Sequence, residues 1–126
     1  MNSHYVMIVD DDRDVRESLA EVLEDHGYPS VAAANGQEAL DRLRSVPTRP
    51  CLILLDLMMP IMDGRQFRAQ QQQDEVLGMI PVLVFSAHTN VEEASAALGA
   101  SACLRKPIEL PLLLEAVRAL CPPQPQ

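Results

Sequence analysis

The sequence predicts a doubly wound α/β protein, in which a five-stranded parallel sheet lies between two layers of helices. The length of 126 residues suits one compact domain. Apolar runs of strand length are nearly unbroken, which is typical of strands covered on both faces. Each run precedes a segment with helical periodicity, and five such repeats predict right-handed crossovers between parallel strands.

Five apolar runs are the predicted strands. In chain order they cover residues 5–9, 30–34, 51–55, 80–85 and 102–104. The second run is weaker and the last is shorter than the others. Ligands of doubly wound sheets bind beyond the carboxyl ends of the strands, so the residues that follow these runs are the candidates for a functional site.

Five segments after the runs are the predicted helices, with apolar residues at helical spacing. They cover residues 12–25, 36–45, 63–72, 90–98 and 109–121. The first ends before Gly27 and the fourth before Gly99, because glycine often follows a helix. Asp63 and Asn90 are predicted N-caps, and Pro111 lies in the first turn of the last helix.

Two of the predicted helices have unusual compositions. The inner face of the fourth offers mainly Ala94, Ala97 and Leu98, which together bury little apolar area, so we expect this helix to be loosely held. Residues 70–73 are consecutive glutamines, and we expect them to form the exposed end of the third helix.

A single domain is expected over residues 1–121, followed by a Pro- and Gln-rich tail or linker stub at residues 122–126. No apolar stretch approaches the length that crosses a bilayer, and the residues after Met1 lack the features of a secretory signal. We therefore expect a cytoplasmic protein without a membrane partner. The net charge of −8 argues against direct nucleic-acid binding, since contacts to phosphates need clustered cations.

The three cysteines are odd in number and widely spaced. Cys51, Cys103 and Cys121 each lie in or beside an apolar run. This pattern favours buried, reduced thiols over a disulfide framework or a zinc site.

Polar residues follow the predicted strands at the edge where the carboxyl ends meet. They are Asp10, Asp11 and Asp12 after the first strand, Asp56 after the third, Ser86 after the fourth and Lys106 near the fifth. Each has an ordinary explanation as a helix cap, a turn residue or an exposed loop residue. Independent loop choices do not explain why acids, a hydroxyl and an amine share one edge, so we expect a functional site there.

The acids at this edge require a compensating charge. Two carboxylates about 4 Å apart repel by roughly 4 kcal/mol at an effective dielectric constant of about 20, so a cluster of Asp10, Asp11 and Asp56 needs protonation or a cation. Oxygen ligands with open positions favour Mg²⁺. Lys106 is the only lysine in the chain, and its ammonium beside a metal-held carboxylate favours attack on a phosphoryl group.

Four motifs together resemble the receiver domains of two-component response regulators. They are VDDD at residues 9–12, LDLMMPIMDG at 55–64, FSA at 85–87 and RKP at 105–107. The similarity covers about residues 4–121, and it is specific because all four motifs occur in this order and spacing. The resemblance, which extends to the chemotaxis receiver, implies a flavodoxin-like (βα)5 fold with strand order 2-1-3-4-5.

The resemblance also implies a role for each acid. Asp56 matches the phosphoacceptor, and Asp11 matches a direct ligand of Mg²⁺, for which Mn²⁺ could substitute. Asp10 matches an acid that supports the metal largely through water. Met58 would contribute its backbone carbonyl to the metal, whereas Asp12 lies outside the acid pair and is expected to cap a helix.

Further residues match the positions that bind the phosphoryl group or transmit its effect. Ser86, with Ala87 beside it, corresponds to the hydroxyl position, and Lys106 to the lysine that pairs with the phosphoryl group. As a loop charge, Lys106 is expected to contribute little to stability. The family often carries an aromatic switch residue where this chain has Cys103. Met58 and His88 stand at two positions that influence dephosphorylation.

The implied partners are a histidine kinase or a phosphotransfer protein as donor, and a target protein that binds the fourth helix, fifth strand and fifth helix. Such a domain assists its own phosphorylation and dephosphorylation without being an enzyme in the usual sense. Alternatives are a pseudo-receiver that binds partners without phosphorylation and a phosphatase of the haloacid dehalogenase type, although Met58 stands where those phosphatases carry a general acid. A stand-alone receiver and a piece of a larger regulator or hybrid kinase both remain open.

Overall fold

The computed structural model describes residues 5–87 and 90–121. The elements are β1 (Val6–Val9), α1 (Arg13–Asp25), β2 (Ser30–Ala33), α2 (Gly36–Ser45), β3 (Leu52–Asp56), α3 (Gly64–Gln73), a 3-10 turn (Leu77–Met79), β4 (Val82–Ser86), α4 (Val91–Ala97), β5 (Ala102–Arg105) and α5 (Leu110–Leu120). The expected tail at residues 122–126 lies outside the described residues. Within the described ranges, no helix has the length and apolar character needed to span a membrane.

The five strands are parallel and lie in the order β2-β1-β3-β4-β5. The predicted doubly wound, flavodoxin-like fold and its strand order are therefore confirmed. Met7 and Val9 of β1 pack in the core with α2, α3 and α4, whereas Val6 and Ile8 pack on the other side with α1 and α5. Both faces of the sheet are covered, which explains the unbroken apolar runs.

Two of the polar residues at the strand ends belong to the sheet itself. Asp56 pairs with Phe85 in the ladder of β3 and β4, and Ser86 pairs with Arg105 in the ladder of β4 and β5. Each strand thus extends one residue beyond the predicted end. Neither Asp56 nor Ser86 is an ordinary turn or cap residue, and the ladders hold the backbone of both.

Helix ends follow the predictions except at the start of α4. The side chain of Asp12 caps α1, and Asp63 forms a capping box at α3. Gly27 and Gly99 adopt the left-handed backbone conformation after α1 and α4. Asn90 is the N-cap residue of α4 as predicted, but its backbone is not extended and its side chain makes no capping hydrogen bond to the described residues of α4.

The glutamine run at the end of α3 is not uniformly exposed, because Gln71 is fully buried. Its side-chain amide donates to the carbonyl oxygens of Leu77 and Ile80, at 2.8 and 3.1 Å. The chain folds back beneath α3 at this point, and Gln71 pairs with carbonyls that are buried there. The other glutamines, Gln70, Gln72 and Gln73, are exposed as expected.

Arg68 connects α3 to the C-terminal end of α4. Its guanidinium donates to the carbonyl oxygens of Leu98 and Gly99, at 2.9 and 3.1 Å, and to the side chain of Gln71 at 2.8 Å. Only 7% of Arg68 is exposed. Because the C-terminal carbonyls of a helix carry partial negative charge, they are suitable partners for a buried guanidinium.

The inner face of α4 also differs from the expected set. Its buried residues are Val91, Ala94 and Ser95. Ala97 is exposed and Leu98 is half-buried, so the expected placement of Ala97 is wrong. An exposed ion pair of 3.0 Å between Arg105 and Glu92 adds a link from β5 to α4. How loosely α4 is held remains a prediction.

Cys51 and Cys121 form a disulfide, which corrects the expectation that the cysteines are reduced thiols. Cys51 directly precedes β3 and Cys121 directly follows α5, and their Cα atoms lie 5.4 Å apart. The parallel topology brings these two ends together across a separation of 70 residues, a proximity that spacing along the chain does not reveal. Cys103 is a free, half-buried thiol, as expected.

Candidate functional site

An open pocket of about 430 Å³ lies at the carboxyl ends of the strands. Its lining residues are Asp10, Asp11, Asp12, Asp56, Met58, Ser86, Ala87 and Lys106. The structure therefore brings together nearly all of the predicted site residues. Cys103 packs instead against the core beneath α4, and His88 lies outside the described residues.

The three acids expected to hold a metal converge in this pocket. Asp10 is fully buried and Asp56 is only 3% exposed, whereas Asp11 is exposed. One carboxylate oxygen from each lies within 4.8 Å of the others. Burial removes the hydration that would otherwise stabilise the charges of Asp10 and Asp56, so their repulsion is felt more strongly than at a surface.

Lys106 provides the opposing charge. Its Nζ atom donates to Oδ2 of Asp10 at 2.8 Å and lies 3.5 Å from Oδ2 of Asp56. The same atom lies 5.1 Å from the ring centroid of Phe85, a cation–π contact that the sequence did not suggest. Burial would lower the pKa of Lys106, but the two carboxylates outweigh burial, and its pKa is raised above the usual value.

Asp56 has a strongly perturbed carboxyl group. Burial, followed by repulsion from Asp10, raises the pKa of Asp56 to about 6. Lys106 and the backbone N–H of Met58, which donates to Oδ1 of Asp56 at 3.5 Å, act in the opposite direction. The group therefore changes charge close to neutral pH, as is common at functional sites.

A close backbone approach shapes the loop that carries Met58. The N–H of Gly64, the first residue of α3, donates to the carbonyl of Leu57 at 3.0 Å. A Cβ atom at Gly64 would lie 2.5 Å from the carbonyl oxygen of Asp56 and 2.8 Å from Cα of Leu57. Glycine is required here because any larger residue would push α3 away from the end of β3.

Ser86 and Ala87 also line the pocket. Ser86 is fully buried at the end of β4, and its carbonyl accepts a hydrogen bond of 2.9 Å from the backbone N–H of Lys106. This bond ties the lysine loop to β4. Ala87 is exposed at the rim.

Sequence reasoning missed two contacts that hold Asp10 in place. Arg16, on α1, donates from its guanidinium to the backbone carbonyl of Asp10 at 2.8 Å. The backbone N–H of Asp12 also donates to Oδ1 of Asp10 at 2.8 Å. The sequence offered one signal for the arginine contact, an arginine early in the helix that follows the three acids. This signal is weak because an arginine at such a position is usually solvated.

The donor set of the pocket fits a hard divalent cation. Three carboxylates and one ammonium leave an excess of negative charge, and the ligands on offer are oxygen atoms beside an open space. Asp10, Asp11 and Asp56 could thus hold Mg²⁺ or Mn²⁺, both of which prefer carboxylates and water. Among the described residues, this cluster consists of carboxylates and includes no cysteine or histidine.

The family model for the response regulator receiver domain matches residues 6–118. The response regulator MprA of Mycolicibacterium vanbaalenii is 42% identical over an alignment of 121 residues, and the match covers 91% of this chain and 49% of that protein. MprA of Mycobacterium avium is also 42% identical over an alignment of 121 residues, with coverages of 91% of this chain and 50% of that protein. The chain spans about half the length of these curated relatives.

Solved structures show the same similarity. A response regulator described as putative from Chloroflexus aurantiacus has a TM-score of 0.86 at 30% identity, covering 95% of this chain and 98% of that one. Chemotaxis protein CheY4 of Vibrio cholerae has a TM-score of 0.82 at 29% identity, with coverages of 92% and 97%. The signal receiver domain of a histidine kinase from Syntrophus aciditrophicus has a TM-score of 0.84 at 30% identity, with coverages of 94% and 90%.

Proposed function

The chain belongs to the response regulator receiver domains of two-component systems, and on that premise we propose that Asp56 accepts a phosphoryl group. The observation that carries this proposal is the burial of Asp56 at the end of β3, beside a second buried acid and the only lysine of the chain, which contacts both acids. The proposed donor is a histidine kinase or a phosphotransfer protein. The proposed receiver covers residues 1–121.

In the proposed reaction, a carboxylate oxygen of Asp56 attacks the phosphorus of the donor as the bond from phosphorus to the donor breaks. The leaving group of the donor takes up a proton from solvent. Since the pKa of Asp56 is about 6, the carboxyl group is largely ionised at neutral pH and available as a nucleophile. The open pocket leaves room for the donor to approach.

The neighbours of Asp56 have proposed roles in binding the incoming group. Lys106 moves its ammonium from Asp10 towards a phosphoryl oxygen, while Ser86 and Ala87 contact the remaining oxygens.

Asp10, Asp11 and Asp56, with the backbone carbonyl of Met58, would hold Mg²⁺ or Mn²⁺. When bound, the ion neutralises charge that develops on the phosphoryl oxygens.

We propose that the signal leaves through the surface of α4, β5 and α5, which binds a target protein. Cys103 stands on β5 where many receivers have an aromatic residue, so the signal here relies on Ser86 and Lys106 without a swinging ring. Met58 and His88 are proposed to tune the lifetime of the phosphoryl group.

Cys103 is also the observation that favours the second candidate, a pseudo-receiver whose partner binding does not depend on phosphorylation. A phosphatase of the haloacid dehalogenase type is not proposed, because Met58 offers no acid two residues after Asp56.

Intact-mass spectrometry after incubation with acetyl phosphate and Mg²⁺ tests the proposal. We expect the mass to increase by one phosphoryl group in the wild type and in Asp25→Asn, a surface control at the end of α1. Asp56→Asn should gain nothing. No increase in the wild type contradicts the proposal. If beryllofluoride also leaves the NMR shifts of α4, β5 and α5 unchanged, the pseudo-receiver is favoured.

A further inference from the structure

The disulfide lies at the end of the sheet opposite the acidic pocket. Cys51 precedes the first residue of β3, the central strand, whereas Asp56 is the last residue of the same strand. Cys121 follows the last residue of α5. The bond therefore joins the C-terminal end of α5 to the middle of the sheet, across 70 residues of chain.

We propose that Cys51 and Cys121 are a reversible redox site that fixes the end of α5 when oxidised and leaves it held by packing alone when reduced. This site is independent of the phosphoryl chemistry proposed above, because it lies at the other end of β3.

The positions of the two cysteines support reversible pairing. Their Cα separation of 5.4 Å lies within the range that a disulfide requires, so the backbone need not move for the bond to form. Cys121 is 1% exposed, while Cys51 is half-buried and open to a small reagent. Both lie in the core on the side of α1 and α5.

The C-terminal end of α5 is otherwise held by packing, since Val117 is buried and Leu120 is partly buried against the core. Leu113 and Val117 are the buried residues of this helix, while Leu110 and Leu112 in its first turn are exposed. A covalent bond directly after the last turn adds a further anchor to this packing. Loss of the bond should increase local opening at this end of α5.

Cys103 does not take part in this pairing. It packs against the core on the opposite face of the sheet, beneath α4, so the sheet separates it from the other two. The chain thus carries a matched control thiol.

The proposed oxidant is a low-molecular-weight disulfide such as oxidised glutathione. The thiolate of Cys51 attacks one of its sulfur atoms, which gives a mixed disulfide and releases one glutathione thiolate. The thiolate of Cys121 then attacks the Cys51 sulfur and releases the second. Oxidation removes two electrons and two protons from the cysteines. These electrons and protons convert the oxidised glutathione into two glutathione thiols.

Alkylation and mass mapping test the site directly. We expect the reduced native protein to lose two hydrogens when it is treated with oxidised glutathione. When the treated protein is then unfolded and alkylated, Cys103 alone should react. After dithiothreitol, all three cysteines should be alkylated. Cys103→Ser should still lose two hydrogens, and Cys121→Ser should not. Three free thiols after oxidation, or a bond to Cys103, would overturn the proposal.

A thermal melt tests the anchoring role. We expect the oxidised protein to melt higher than the reduced one by on the order of 10 °C, because a disulfide that closes a long loop restricts the unfolded chain. Hydrogen exchange at the end of α5 should slow as well. Neither change should occur in Cys121→Ser, and equal melting temperatures and exchange rates in the two wild-type forms contradict the role. Labelling of Asp56 by acetyl phosphate should be the same in both forms, so failure of one proposal leaves the other intact.

Discussion

Lys106 donates a hydrogen bond of 2.8 Å to Asp10 and lies 3.5 Å from Asp56. The loop after β5 is thus joined by one ammonium to the carboxyl ends of both β1 and β3. The shorter distance is to Asp10, so a phosphoryl group on Asp56 has to compete with Asp10 for the same lysine.

Lys106→Met should destabilise the protein by about 2–3 kcal/mol, because the substitution leaves a fully buried carboxylate without its cationic partner. This exceeds the small effect expected of a loop charge. Urea unfolding at pH 7 measures the change. Arg105→Gln, which removes an exposed ion pair one residue earlier, should change stability by about 0.5 kcal/mol or less. Equal effects of the two substitutions would contradict the role assigned to the buried pair.

Asp56 should make the metal-free protein less stable as the pH rises. Its pKa is raised from a usual value of 3.8 to about 6, so the folded state binds the proton more tightly than the unfolded state. The free energy of unfolding should therefore decrease as the pH rises from 4 to 6. Above pH 6 the decrease due to this group is complete and amounts to about 3 kcal/mol.

The variant Asp56→Asn checks this pH dependence. It should be more stable than the wild type at pH 7.5. The difference in stability between the two proteins, called the gap below, should narrow as the pH falls towards 4.5. Melting curves of both proteins in a metal chelator at several pH values give the gap. A gap that widens at low pH contradicts the raised pKa.

Mg²⁺ should raise the melting temperature, because it relieves the repulsion among Asp10, Asp11 and Asp56. The rise should shrink below pH 6 as protons compete with the metal for Asp56. Asp11→Asn should abolish most of the rise and change the metal-free protein little, since Asp11 is exposed. Asp25→Asn is the control that keeps the full response. An unchanged response in Asp11→Asn would remove Asp11 from the metal site.

Arg68→Met should free the C-terminal end of α4, because it removes the donors to the carbonyl oxygens of Leu98 and Gly99. We expect a loss of about 2 kcal/mol, typical of hydrogen bonds from a charged donor, together with faster hydrogen exchange in α4. Arg65→Met, an exposed position on the same helix, is the control. Exchange in α4 at the wild-type rate would show that other contacts hold this helix.

Gly64→Ala should disturb the end of β3, because its Cβ would meet the backbone of Asp56 and Leu57 at 2.5 and 2.8 Å. A clash with backbone cannot be relieved by a rotamer change, so we expect a loss of about 2–3 kcal/mol and slower labelling of Asp56. Gly78→Ala offers a control, since its nearest contact would be 3.4 Å. Wild-type stability and labelling in Gly64→Ala would contradict this account.

The fold and the acidic pocket could be predicted from the sequence because both depend on local patterns. Unbroken apolar runs imply a parallel sheet, and in such a sheet the residues after the runs necessarily meet at one edge, which places Asp10, Asp56 and Lys106 together. No knowledge of side-chain packing was needed for either step.

The contacts that sequence reasoning missed depend on tertiary packing. Gln71 and Arg68 stand in a polar helix end that looks solvated, and only the approach of the 3-10 turn and of α4 buries them. Cys51 and Cys121 are 70 residues apart, and their proximity depends on how α5 returns along the sheet. Such contacts leave no periodic signal in the chain.

The placement of Asp56 and Cys51 at opposite ends of β3 has a consequence for how the molecule would integrate stimuli. Phosphorylation of Asp56 and oxidation of Cys51 would occur at the two ends of a strand that is paired on both sides. Both events would converge on α5, because the disulfide holds the end of this helix and the helix belongs to the proposed output surface. Redox state would therefore change how that surface responds to phosphorylation, while the labelling of Asp56 itself stays the same.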